Sequence, residues 1–176
     1  HLGYSLTPRF VGFKNAVVEN TAVGCTAVFG ADIRRHMLQA SCAGMMMHDW
    51  WAYLTASAFG EVIYDPEPTI LYRQHGVSVT PFEPGLIKLK PRVRDLLSRF
   101  RGGGNNGLPA LNQAIYFKEN YPELAYEYSD IINNLIALRK QSTVFSRIRY
   151  ILRPEVIRTN PVENWSLKCM ILLGWH

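Results

Sequence analysis

The chain has 176 residues, of which 48% are hydrophobic, and a formal net charge of +5 at pH 7; that much apolar material fills one sizeable core and excludes a disordered polypeptide. Its three cysteines, Cys25, Cys42 and Cys169, form neither a CxxC pair nor a zinc spacing, which excludes a disulfide scaffold and a structural zinc module and points to the reducing cytoplasm. The longest apolar stretches, such as Cys169 to Leu173, fall far short of the roughly 20 residues that cross a bilayer.

In chain order, Thr21 to Phe29 reads as a strand from its Val, Thr and Phe content. Asp32 to Leu38 reads as a short helix. His48 to Phe59 reads as a stronger one, with Trp51, Tyr53, Leu54 and Ala58 at apolar positions and Gly60 as its stop. Glu61 to Tyr64 and Thr69 to Arg73 read as two further strands, so residues 1–85 are expected to form a mixed α/β segment that ends near Pro81 to Gly85. Residues 86–176 change to long helical patterns, clearest over Leu108 to Glu119 and Glu123 to Gln141, where Ile131, Leu135 and Leu138 recur at helical spacing. Ahead of these, Gly102-Gly103-Gly104-Asn105-Asn106-Gly107 is a flexible connection, because consecutive glycines cost too much backbone entropy inside an element. It lacks the Lys-Ser/Thr ending of a phosphate-binding loop, and no strand precedes it. No internal repeat is present.

Charge is unevenly placed. Residues 1–85 hold five Lys or Arg and seven Asp or Glu, whereas residues 86–176 hold fourteen and seven. One basic cluster comprises Lys88, Lys90, Arg92, Arg94, Arg99 and Arg101, and another Arg147, Arg149, Arg153 and Arg158, interleaved with Ile, Leu, Tyr and Phe. Such a surface suits an anionic lipid headgroup, a phosphorylated acceptor or nucleic acid, with a plain solvated helical face as the alternative. No nucleic-acid-binding signature accompanies it.

Three short motifs carry the chemistry. Met47-His48-Asp49-Trp50-Trp51 sets Asp49 at a helix start, just after the flexible run Ala43-Gly44-Met45-Met46-Met47; a carboxylate there either bonds exposed amides of the first turn or points into a cleft. Trp50 and Trp51 point about 100° apart on a helix, so they cannot serve one surface. Two core tryptophans, or one core ring and one exposed stacking platform, both fit. In Tyr72-Arg73-Gln74-His75-Gly76, Arg73 and His75 lie on one face of the expected strand, where a structural histidine is the usual explanation. In Val23-Gly24-Cys25-Thr26, Gly24 permits close approach of backbone to a ligand and Thr26 offers a hydroxyl, while Cys25 reads as a small core hydrophobe.

These three motifs, in this order, resemble the C-terminal half of a family 2 inverting glycosyltransferase of the GT-A fold, most of all its rhamnosyltransferase-like members. The resemblance covers about residues 15–80. It implies a GT-A mixed sheet whose acceptor-side portion is residues 1–85, followed by a basic helical extension over residues 86–176. It also implies that Asp49 is the general base and that Gly24, Cys25, Thr26, His48, Trp50 and Trp51 border the acceptor. His48 stands where the family usually has a glutamate. Arg73 is implied as a contact to the donor diphosphate and His75 as a ligand to a divalent cation, Mn²⁺ or Mg²⁺. The partners implied are a nucleotide-sugar donor, with dTDP-rhamnose the one that the resemblance points to, and a cell-surface glycan acceptor. No Asp-x-Asp pair is found on the donor side, so the chain is expected to be a fragment that does not transfer sugar alone. An unpaired sheet edge would then favour self-association. The alternative is a non-catalytic interaction module whose basic helical tail docks on the inner face of a membrane or on a protein partner.

Overall fold

The computed structural model describes residues 10–41, 43–67, 70, 109–141 and 143–174. All of these except Ile70 belong to one unit, formed by His1–Glu67 together with Gly107–His176. Its helices are α1 (Phe13–Ala16), α2 (Ala31–Gln39), α3 (His48–Phe59), α4 (Pro109–Asn120), α5 (Tyr126–Gln141), α6 (Val144–Leu152) and α7 (Pro161–Leu173), with one 3-10 turn at Gly24–Thr26. α2 and α1 both pack on α3, α4 pairs with α5, and α6 pairs with α7.

The expected α/β architecture is corrected by this arrangement: the described residues contain no β-strand, so they hold no GT-A mixed sheet. Thr21 to Phe29 and Glu61 to Tyr64 have strand composition, yet Val28 is 98% exposed and Ile63 is exposed too. Branched and aromatic side chains favour a strand only where a paired, half-buried surface receives them. Here the first run is interrupted instead by the turn at Gly24, closed when the Thr26 hydroxyl and amide both donate to the Val23 carbonyl at 2.9 Å. The third expected strand, Thr69 to Arg73, the Pro81 to Gly85 boundary, the glycine run and the Lys88 to Arg101 cluster lie outside the described residues, Ile70 apart.

The helical readings fare differently. α2, α4 and α5 lie within about a turn of their expected bounds, and α3 has the bounds read from its apolar spacing. Tertiary packing explains why α3 is buried almost all round. Trp51 and Phe117 are fully buried with ring centroids 5.1 Å apart, edge to face, and Tyr121 stands 4.6 Å from Phe117 and 5.0 Å from Phe59. His36 of α2 stacks flat on Phe59 at 4.2 Å, and the Tyr121 hydroxyl donates to the His36 carbonyl at 2.8 Å. One aromatic seam therefore joins α2, α3 and α4, across the stretch of sequence that separates residues 67 and 109.

A polar knot closes the other side of α3. Asn15, 1% exposed, accepts from the Tyr53 hydroxyl at 2.8 Å and donates to the Ile157 carbonyl at 3.0 Å and to Glu19. Glu19 in turn accepts from the Thr159 amide, the Trp50 indole donates to the Ala16 carbonyl at 2.7 Å, and the Ile157 amide donates to the Lys14 carbonyl. A short helix of four residues has little stability of its own. α1 exists because these groups need partners inside a dry core.

The termini of α7 follow local rules. Asn160 caps it by accepting from the Val162 amide at 2.9 Å, Pro161 opens it, and Gly174 ends it at φ 74°, a left-handed conformation that glycine adopts without penalty.

Replacing Asn15 with Ala should destabilise the unit by about 2–4 kcal/mol in urea unfolding, since the Ile157 carbonyl and the Tyr53 hydroxyl each lose a buried partner. Burial, with the Glu155 charge adding to it, pushes the Tyr150 phenol well above its ordinary 10.0, and burial likewise raises Tyr53 and Tyr121. Such groups hold their protons more tightly folded than unfolded, so their contribution is fully present below pH 10.0 and is lost as pH rises beyond it. Urea midpoints should therefore be level through neutral pH and drop above about pH 10. Tyr150→Phe should make that alkaline drop shallower.

Candidate functional site

The site is assembled at the N-terminal end of α3. Met47 is extended at the helix start and offers no side-chain cap, so the first-turn amides take partners from further along. Asp49 supplies one: its Oδ1 accepts from the Trp50 amide at 2.8 Å. Asp49 is buried, 9% exposed as a residue, and its second oxygen takes no hydrogen bond among the described residues. One oxygen thus serves the helix end, as a carboxylate in the first turn of a helix commonly does.

Gly24 faces the same spot. A Cβ built on it would meet His48 Nε2 at 2.9 Å and Asp49 Cβ at 3.5 Å, so the turn lies directly against the first turn of α3. The bare backbone of Gly24 is what makes room for the imidazole. Beside it, Cys25 and Thr26 are exposed, with Cys25 a free thiol on the turn and not in the core where its size would place it. Gly24, His48 and Asp49 are thus brought together by the fold, with Cys25 and Thr26 on their rim.

Trp50 and Trp51 are placed elsewhere. Trp51 belongs to the aromatic seam, and Trp50 is buried with its indole nitrogen committed to Ala16. A stacking platform requires an open ring face, and both rings spend theirs on the core. Arg73 and His75 lie outside the described residues. Among the described residues, no three His, Cys, Asp or Glu side chains come together to hold a cation.

The loop ahead of α3, read from sequence as flexible, is fastened to α4 by residues that sequence reasoning passed over. The Ser41 amide donates to Asn120 at 3.0 Å, the Met46 amide donates to the buried Gln113 at 3.0 Å, and the Tyr116 hydroxyl donates to the Ser41 carbonyl. The ring of Tyr116 lies on Gly44, where a Cβ would fall 2.4 Å from Cγ. The only signal in the sequence was a glycine among bulky methionines, which reads equally well as slack or as a close approach. Here it is a close approach, and it sets the angle at which the chain enters α3.

No protein-family model, no curated protein and no solved structure matches this chain.

Gly44→Ala should force either the loop or the Tyr116 ring to move, with a loss of about 1–3 kcal/mol in chemical unfolding, because the atoms met are those of a packed ring. Tyr116→Leu placed on the same background should recover part of that loss.

Proposed function

We propose that residues 10–60 carry the acceptor side of a sugar-transferring site in which Asp49 is the general base. The observation that carries this reading is the convergence of Gly24, His48 and Asp49 at the head of α3, with one carboxylate oxygen uncommitted. The reading does not use a sheet. It needs a carboxylate within hydrogen-bond reach of an acceptor hydroxyl, and a neighbouring backbone without a side chain in the way.

An alcohol is a poor nucleophile until its proton leaves. Asp49 Oδ2 would take that proton as the acceptor oxygen forms its bond to the anomeric carbon. The bond from that carbon to the nucleoside diphosphate breaks on the opposite face, so the configuration inverts. The exposed imidazole of His48 and hydroxyl of Thr26 border the position of the acceptor and would orient it. A divalent cation held by His75 would supply charge neutralisation to the departing diphosphate, and Arg73 would contact that diphosphate; both assignments rest on the sequence motif. The donor is a nucleotide-activated sugar such as dTDP-rhamnose and the acceptor a glycan.

The test is sugar transfer by the protein from a nucleotide-activated sugar to a glycan acceptor. Asp49→Asn should lower kcat by about 10²–10⁴-fold with the donor KM unchanged, and with unfolding midpoints close to wild type because the amide still accepts from Trp50. Gly24→Ala should raise the acceptor KM and leave the donor KM alone, since its methyl enters the space between the turn and His48. Equal turnover by wild type and Asp49→Asn would end the assignment of the base.

A further inference from the structure

Among the described residues, no helix is long and apolar enough to cross a membrane, yet α6 and α7 leave a large amount of apolar surface uncovered. On α6, Phe145 is 84% and Leu152 is 76% exposed, and Ile148 is exposed between them. Their spacing of three and then four residues puts them on one face of the helix. Arg149 follows Phe145 by four residues, which sets an exposed guanidinium along the flank of that apolar row, and the exposed Arg153 follows at the C-terminal cap of the helix. On α7, Trp165 is 71% exposed, and Val162 and Leu172 share its face. The opposite face of α7 is the one that is spent on the core, through Leu167, Met170 and Ile171.

The hairpin is held as a unit. Arg147 reaches from α6 to donate to the Leu172 carbonyl at 3.3 Å, and its guanidinium lies against Gly174. Residues 143–174 contain five Lys or Arg and two Asp or Glu, and neither acid lies on α6. One of the two, Glu155, is taken up by Asn134, whose amide donates to both of its oxygens at 3.1 Å. The solvent face of α6 is therefore apolar at its centre and cationic at its edge.

We propose that the α6–α7 hairpin docks on an anionic bilayer surface, with Phe145, Ile148 and Leu152 entering the headgroup boundary, Trp165 at the interface, and Arg149 and Arg153 on lipid phosphates. A helix of this kind lies in the plane of the interface, binding through buried apolar area plus attraction between its basic flank and acidic headgroups. An indole suits the interface because its ring is apolar and its N–H remains near water. Charge complementarity is what selects an anionic membrane as the occupant: apolar area alone has no preference for charge, whereas Arg149 and Arg153 do.

The test is co-sedimentation of the full chain with vesicles of phosphatidylcholine doped with phosphatidylglycerol, against vesicles of phosphatidylcholine alone, at low and high salt. Binding should favour the doped vesicles and weaken with salt. Phe145→Ser with Leu152→Ser should reduce it by more than about tenfold. Arg149→Gln and Arg153→Gln should each reduce it roughly fivefold. All four side chains are exposed, so far-ultraviolet dichroism and urea midpoints should stay at wild-type values, which separates lost docking from lost folding. Equal binding to both vesicle types, or variants that bind as wild type does, would overturn the proposal. So would self-association in sedimentation equilibrium that depends on Phe145 and occurs without vesicle binding, since the occupant would then be a second copy of the chain.

Discussion

A single buried amide, that of Asn15, is the constraint around which the described unit is arranged. It joins the short helix α1 to Tyr53 on α3, 38 residues away, and to Ile157, 142 residues away. Buried polar groups are costly unless every one finds a partner, and so such a knot admits few alternative packings. The Trp50 indole and the Glu19 carboxylate extend the same logic, one towards the backbone of α1 and the other towards Thr159. Hydrophobic burial provides most of the favourable free energy, but it is indifferent to register; the polar contacts are what choose one register.

The candidate site inherits its geometry from that choice. α3 is gripped on one side by the Asn15 knot and on another by the aromatic seam through Trp51, Phe117 and Tyr121, which leaves its N-terminal end as the part that meets the Gly24 turn. The fastening of residues 41–46 to α4 then fixes how the chain enters that end. Asp49 is consequently buried at that end, beside the turn and bonded to the Trp50 amide.

Part of the candidate site's placement could be read from the chain without coordinates. The apolar spacing of residues 48–59 located α3, and Asp49 at its head followed at once. That Gly24 lies against that helix end was decided by the fold. The two tryptophans were ambiguous for a definite reason: burial and sugar stacking both call for a large flat apolar ring, and only the identity of the neighbours distinguishes them. Gly44 was read as part of a flexible run, because a glycine that must admit a packed ring and one that merely loosens a loop look alike in sequence.

Helix position was legible because the 3.6-residue period is written locally, in every turn of α2, α3, α4 and α5. Strand assignment for Thr21 to Phe29 and Glu61 to Tyr64 failed because a strand is defined by a partner elsewhere in the chain, and composition is silent on whether one is present. For the same reason the side of each C-terminal helix that would meet water could not be foreseen: α6 and α7 both carry enough apolar residues to be buried all round. Only the packing of α7 through Leu167 and Ile171, and the anchoring of Arg147 at its end, settled that Phe145, Leu152 and Trp165 face outwards. Local periodicity decides what a segment becomes, whereas contacts between residues far apart in sequence decide which of its faces is left to act.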